Sequence, residues 1–160
     1  METILIKQQK KALIFGISGQ DGSYLASFLL EKGYVVYGTS RDAIKNTFQN
    51  LKQLKVLNKI SLHTVNTLDS KSVTKIIKKI LPDEIYNLSG QSSVNKSFFY
   101  PQETFNSITQ ASLHILEAIK ILDNNCKFYN ASSSECFGDT GENLSNEKTQ
   151  FNPCSPYGVA

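Results

Sequence analysis

Apolar positions along the chain follow two alternating rhythms. Short runs of β-branched and aromatic residues occur in "ALIFG", "YVVYG", "ISLHTV", "EIYNLS" and "KFYNASS", and such runs, bounded by turn residues, predict strands. Between them the apolar residues recur at intervals of three and four, the spacing of one helix face. "SYLASFLLEKG" places Leu25, Phe28 and Leu29 on such a face and stops at Gly33. A weaker pattern from Ala43 to Leu57 uses Ile44, Phe48 and Leu51, and a third from Ser70 to Leu81 uses Val73, Ile76, Ile77 and Ile80. A fourth, from Glu103 to Leu122, uses Phe105, Ile108, Leu113, Leu116 and Ile119.

Strands that alternate with helices make successive βαβ units, whose right-handed crossovers build a parallel sheet covered on both faces. The expected fold is therefore α/β, an open doubly wound Rossmann sheet. Residues 1–10 read as a tail and residues 11–160 as one domain. Ser132 to Pro156 carries no clear period, and in this architecture such a stretch beyond a strand's carboxyl end reads as a functional loop.

The first strand runs into "GISGQDG", with Gly16, Gly19 and Gly22 three apart. In a strand-turn-helix context glycines serve a tight turn, close approach of backbone to a pyrophosphate, and packing of helix on strand. The amides of the helix N-terminus face the anion. Gly16, Ser18, Gly19, Gln20, Asp21 and Gly22 are the expected phosphate-binding turn. The second strand ends in "YGTSRDA", where an acid would hold a ribose 2′-OH and an arginine a 2′-phosphate. Arg41 favours NADP, since a guanidinium suits phosphate oxygens; Asp42 blunts that preference by adding a like charge nearby.

Composition adds mainly exclusions. A net charge of +3 with lysines scattered among acids and amides reads as a solvated surface, not a nucleic-acid footprint. No apolar run approaches the roughly 20 residues of a membrane span, so no membrane partner and a cytoplasmic location are expected. Cys126, Cys136 and Cys154 form no CxxC pair, which argues against a metal site or a disulfide framework. His63 and His114 are expected to be ordinary packed or exposed residues.

Taken together, "FGISGQDGSYLASFLLEKGYVVYG", "LPDEIYNLSGQSSV", "FYNASSSECFG" and "FNPCSPYGVA" resemble the GDP-mannose 4,6-dehydratase family of extended short-chain dehydrogenase/reductases. The matches run in order from Ala12 to Ala160. The resemblance implies NADP as cofactor, GDP-mannose as substrate of the complete enzyme and GDP-4-keto-6-deoxymannose as product. It also implies a homo-oligomer, dimer or tetramer.

Carried over by position, Tyr157 is the base at the sugar O4, Glu135 the group acting at C5 and C6, and Ser133, where the family usually has threonine, a hydrogen-bond donor at O4. Leu88, Ser89 and Gln91 lie beneath the nicotinamide ribose. Asn66 replaces the family's adenine-binding aspartate and can still accept that bond. Ser93 stands in place of a histidine and Gly90 in place of an alanine.

A tyrosine phenol ionises near pH 10, so it needs a neighbouring cation to act as a base. A lysine at i+4 supplies that charge in the family's Tyr-x-x-x-Lys pair, and "SPYGVA" ends one position before it. The expectation is a cofactor-binding part cut before the substrate domain and inactive alone. Two other readings are a non-catalytic dinucleotide-binding module and a related epimerase or reductase. Glu135 beside Ser133 argues against the epimerase, because C4 epimerisation needs no base at C5.

Overall fold

A computed structural model describes residues 9–123, 125–142 and 144–160; most of the expected tail lies outside the described residues. Five strands, β1 (Lys11–Phe15), β2 (Val35–Ser40), β3 (Ser61–Thr64), β4 (Glu84–Asn87) and β5 (Lys127–Asn130), form one sheet in the order β3-β2-β1-β4-β5. All four pairings are parallel, with Ile14 level with Gly38 on one side and Tyr86 on the other. The sheet is the doubly wound one that the alternation of elements implies.

Period-two alternation in β1 divides the core in two. Leu13 and Phe15 face a cluster made with Ile85, α3 (Ser70–Ile80) and α6 (Ala111–Ile121), while Ala12 and Ile14 face a second cluster made with Val36, α1 (Gln20–Glu31) and α2 (Gln49–Gln53). β1 is buried on both sides, as expected for a central parallel strand. α3 buries Val73, Ile76, Ile77 and Ile80, the stripe its spacing predicts, and Asp69 caps it by accepting the Lys71 amide at 3.1 Å.

The structure differs from the expected helices in several places. The helix expected over Ala43–Leu57 is only Gln49–Gln53. Asp42 and Asn46 spend their side chains on the amides of Ile44, Lys45 and Phe48, which holds the preceding residues in a turn instead of a helix. The helix expected from Glu103 is present and unbroken, running as α5 (Pro101–Phe105), a π turn (Asn106–Gln110) and then α6, while the π turn and α4 (Val94–Phe99) before it were not foreseen. The buried face of α6 is Ala111, Ile115 and Ala118, whereas Leu113 and Leu116 are nearly half exposed. Small residues let α6 lie close to α3, Ile119 and Leu122 pack partly buried against the same cluster, and Leu113 and Leu116 sit on the other side of the helix.

α1 also differs in detail. It buries Gly22, Ser23, Ala26 and Leu29, and Phe28 stays outside with the Lys32 ammonium 5.2 Å from its ring centre. Gly33 ends the helix at φ +80, as its position implies.

Among the described residues no helix is long and apolar enough to cross a membrane, and no group of His, Cys, Asp or Glu could hold a metal ion. All three cysteines are free thiols.

Candidate active site

Strand order reverses between β1 and β4, and the loops that leave these two strands part around a crevice. β1 delivers the chain to Gly16, whose φ is +83; a Cβ there would stand 2.6 Å from the Leu88 carbonyl oxygen and 2.9 Å from the Ser89 nitrogen. Only glycine lets the two strand ends approach so closely. Gly22 lies one turn into α1, and a Cβ on it would meet the Gly16 carbonyl and come within 2.8 Å of the Ile17 Cα. Gly19 is the N-cap of α1 and has no side chain to satisfy the helix amides. The first amide bonded within the helix is that of Ser23, to the Gly19 carbonyl at 3.1 Å. The amides of Gln20, Asp21 and Gly22 therefore have no partner inside the helix and suit an anion.

A cleft of about 1310 Å³ opens from this turn. Gly16, Ser18 and Gly19 form its base, Ser40, Arg41, Asp42, Lys45 and Asn46 one end, Asn66, Thr67 and Leu68 a second wall, and Leu88 to Ser93 a third. The cleft continues along Lys96, Tyr100 and the α5–π segment.

A smaller cleft of about 250 Å³ shares Leu88–Ser92 with the large one and is otherwise bordered by Asp21, Asn130, Ser132, Ser133, Cys136 and Tyr157. The two spaces thus meet over one loop at the switch point, outside the carboxyl ends of the strands, where open α/β sheets place their ligands.

Hydrogen bonds fix that shared loop. Asn87, buried at the end of β4, accepts from the Ser89 hydroxyl at 2.6 Å and donates to the Asn130 amide oxygen at 2.8 Å and to Ser112 at 3.1 Å. The Gln91 amide nitrogen donates to the Ser107 hydroxyl at 3.1 Å, and its side chain donates to the Thr104 hydroxyl at 3.1 Å and to the Ser93 carbonyl. Its side-chain oxygen accepts from the Ser93 amide. The π turn that carries Ser107 is therefore tied to the loop; Gly90, at φ +146, lets Ile108 pack 3.1 Å from where its Cβ would stand.

Ser133 caps a single 3₁₀ turn, Ser134–Phe137, by accepting the Glu135 amide at 3.3 Å. Three residues per turn align Ser133 with Cys136, and these two border the small cleft, while the half-buried Glu135 is absent from its lining. Tyr157 enters the cleft from α7 (Pro156–Val159), whose cap is Ser155, buried and accepting the Gly158 amide at 3.0 Å. A Cβ on Gly158 would stand 2.6 Å from the Glu135 carbonyl oxygen, so α7 is seated directly on the 3₁₀ turn.

Of the residues singled out from the sequence, Gly16, Ser18, Gly19, Arg41, Asn66, Leu88, Ser89 and Gln91 line the large cleft, and Asp21, Ser133 and Tyr157 the small one. Gly22 is buried beneath the turn, and Gln20 is exposed with its carbonyl taken by Ser23 at 2.7 Å; neither borders a cleft. Lys45, Asn46 and Ser107 were not singled out from the sequence, because only the folded turn and the π segment bring them to the rim; Thr104, also not singled out, is buried beneath the loop and holds the Gln91 side chain. His63 stacks on Tyr37 away from both clefts, and burial and then Lys79 push its pKa below the usual value. His114 lines neither cleft; its Nδ1 is 2.9 Å from the carbonyl of Thr67, which it holds from behind the wall.

The family model described as GDP-mannose 4,6 dehydratase matches residues 13–160. A GDP-mannose 4,6-dehydratase of Vibrio cholerae is 43% identical over 95% of this chain, and the enzyme of Cricetulus griseus 44% identical over 96%. The chain spans 43–44% of the length of these curated relatives.

Among solved structures, UDP-glucose 4-epimerase from Brucella ovis, in complex with NAD, superposes with a TM-score of 0.81 at 18% identity, covering 94% of this chain and 44% of its own. The corresponding epimerase of Thermus thermophilus, also with NAD, gives 0.81 at 22% identity, covering 93% and 46%. These likenesses establish the fold. With the family model matching from β1 to the last residue, and the glycine turn, shared loop and Tyr157 gathered at one switch point, the chain belongs to the GDP-mannose 4,6-dehydratase family.

Proposed function

We propose that the chain is the cofactor-binding part of an NADP-dependent GDP-mannose 4,6-dehydratase, with the adenosine and pyrophosphate of NADP in the large cleft and the sugar in the small one. The observation that carries this reading is the common floor, Leu88–Ser92, beneath both spaces. A dinucleotide lying over it presents its nicotinamide to a sugar held beside Ser133 and Tyr157. The residues fit such a ligand: glycines where a Cβ would block the approach, helix amides without an internal partner, and Arg41 at the far end.

Bound there, NADP supplies a hydride acceptor for the sugar C4 and later a hydride donor for C6. Tyr157 takes the proton of the C4 hydroxyl as that carbon is oxidised, while the Ser133 hydroxyl donates to the same oxygen. The resulting ketone acidifies the C5 proton. Glu135 removes it and passes a proton to the departing C6 hydroxyl, which leaves as water, and the proton that Tyr157 took from O4 is the one that balances C5 once hydride has returned to C6. Glu135 performs this step by turning its side chain from the flank of the 3₁₀ turn toward the cleft.

The test replaces the matching segment of the Vibrio cholerae dehydratase with residues 13–160 of this chain. The chimera is expected to convert GDP-mannose to the 4-keto-6-deoxy sugar. Glu135→Gln and Tyr157→Phe are each expected to lower kcat by at least about 100-fold, the usual contribution of a positioned acid or base. Nucleotide binding and circular dichroism verify the fold of each variant. A folded, nucleotide-bound chimera that forms no product, or one whose rate is untouched by both substitutions, refutes the dehydratase reading.

A further inference from the structure

The geometry points to Lys45 as a second specificity-determining cation for the 2′-phosphate of NADP, required because an acid, Asp42, follows Arg41. The inference rests on the proposed dinucleotide reading of the large cleft and extends it to residues beyond the strand end.

Arg41, Asp42 and Lys45 all border the end of the cleft formed where β2 finishes. A carboxylate beside Arg41 would repel a phosphate of charge about −1.5 to −2 and compete for the guanidinium. Asp42 is instead engaged by its own turn. One carboxylate oxygen accepts the amides of Ile44 at 3.2 Å and Lys45 at 3.0 Å, and the other lies 3.9 Å from the Lys45 ammonium.

The turn that holds this arrangement is fastened at both ends. The Asn46 amide donates to the Asp42 carbonyl at 3.1 Å and its side chain to the Ser40 hydroxyl at 3.2 Å, while the Ala43 amide donates to the Thr64 hydroxyl on β3 at 3.1 Å.

The Lys45 side chain is 87% exposed, and an ion pair so placed is weak enough to yield to a better acceptor. A 2′-phosphate is such an acceptor, because charge-assisted bonds to a multiply charged oxyanion exceed one loose contact with a carboxylate. Lys45 therefore acts in two ways, cancelling the charge of Asp42 and offering its own. Neither effect reaches the neutral 2′-hydroxyl of NAD.

Calorimetric titration of the 160-residue chain with adenosine 2′,5′-bisphosphate and with 5′-AMP isolates that end of the cleft. Lys45→Ala is expected to weaken the bisphosphate about five-fold and leave 5′-AMP unchanged. In an Asp42→Asn background, which keeps the oxygen that caps the turn, the same substitution is expected to cost about two-fold. Asp42→Asn alone tightens the bisphosphate.

If Lys45→Ala leaves bisphosphate affinity intact while Arg41→Ala weakens it, the role of Lys45 is refuted and the NADP reading stands. Equal affinity of the parent chain for the two ligands, or binding of neither, overturns the inference together with the NADP choice. Weaker binding of 5′-AMP by Asp42→Asn also overturns it, since that acid would then hold the ribose.

Discussion

Glu84 opens β4 at the end of the sheet opposite the clefts, where a carboxylate with little exposure accepts three donors. These are the Tyr86 hydroxyl at 2.6 Å, the Tyr34 hydroxyl at 3.0 Å and the Lys10 ammonium at 3.4 Å. Burial pushes the Glu84 carboxyl up, but Tyr86, Tyr34 and Lys10 outweigh it and hold the group below its ordinary value, while burial and Glu84 push the Tyr86 phenol up. A folded-state value below the unfolded one means that the unfolded chain binds the proton more readily. The resulting stability is complete above the ordinary carboxyl value of 4.5 and is lost as pH falls below it toward the folded value. Glu84→Gln is expected to lower stability at pH 7 by about 1–3 kcal/mol and to flatten the decline in acid. Urea melts of both chains at neutral pH and near pH 4 measure it, and coincident curves at the two values would exclude the network as a source of stability. Only Glu84 and Tyr86, two apart on one strand face, stand together in "EIYN"; the other two donors were not legible there, because Tyr34 and Lys10 lie 50 and 74 residues away along the chain. Arg41 and Asp42 could be read from a strand end, but the direction of the Asp42 carboxylate depended on a turn that their neighbours had to form first.

At the scale of elements, legibility followed the strength of the periodic signal. α3 and the central strands β1, β2 and β4 were clear because each buries a stripe or a face, and the edge strands β3 and β5, which bury no residue fully, were clear from their β-branched and aromatic content. The Ala43–Leu57 segment misled because the short polar side chains of Asp42 and Asn46 captured backbone amides that a helix would have used. The π turn had no signature in composition; it is visible only as the way Ser107 and Ile108 meet Gln91 and Gly90. The glycine turn was readable and gives a sharp comparison. In Gly22→Ala the new methyl meets the Gly16 carbonyl and the Ile17 Cα, both backbone and unable to yield without moving α1 off β1. A stability loss of about 1–3 kcal/mol is expected, together with weaker NADP binding, because the displaced helix carries the phosphate amides away. Gly33→Ala meets nothing within 4 Å but must adopt φ +80, so it is expected to cost about 1 kcal/mol and leave nucleotide affinity unchanged. Denaturant melts and calorimetry on the two variants separate packing from backbone conformation; a Gly22→Ala chain that binds NADP like the parent would show that the turn tolerates a shifted helix.

The molecule as a whole is two apolar clusters on opposite faces of one sheet, joined through β1. The large cleft crosses that junction: Arg41 and Asn66 stand at the ends of β2 and β3, while Leu88–Ser92 follow β4. A ligand confined to the adenosine end should brace only the β2–β3 side, whereas a full dinucleotide should brace both sides of the switch point. At 100 times its dissociation constant, NADP is expected to stabilise the fold by about 2.7 kcal/mol through mass action alone, which a thermal melt reads as a raised midpoint. Hydrogen exchange locates the effect. NADP is expected to slow exchange at the amides of residues 16–23, 40–46 and 88–92 together. Adenosine 2′,5′-bisphosphate, lacking the nicotinamide half, is expected to protect the 40–46 turn and leave 88–92 at the rate of the free chain. If the bisphosphate protected the loop after β4 as strongly as NADP does, that loop would tighten without contact. The sharing of Leu88–Ser92 by the two clefts would then report coupling through the sheet and not a nicotinamide seat.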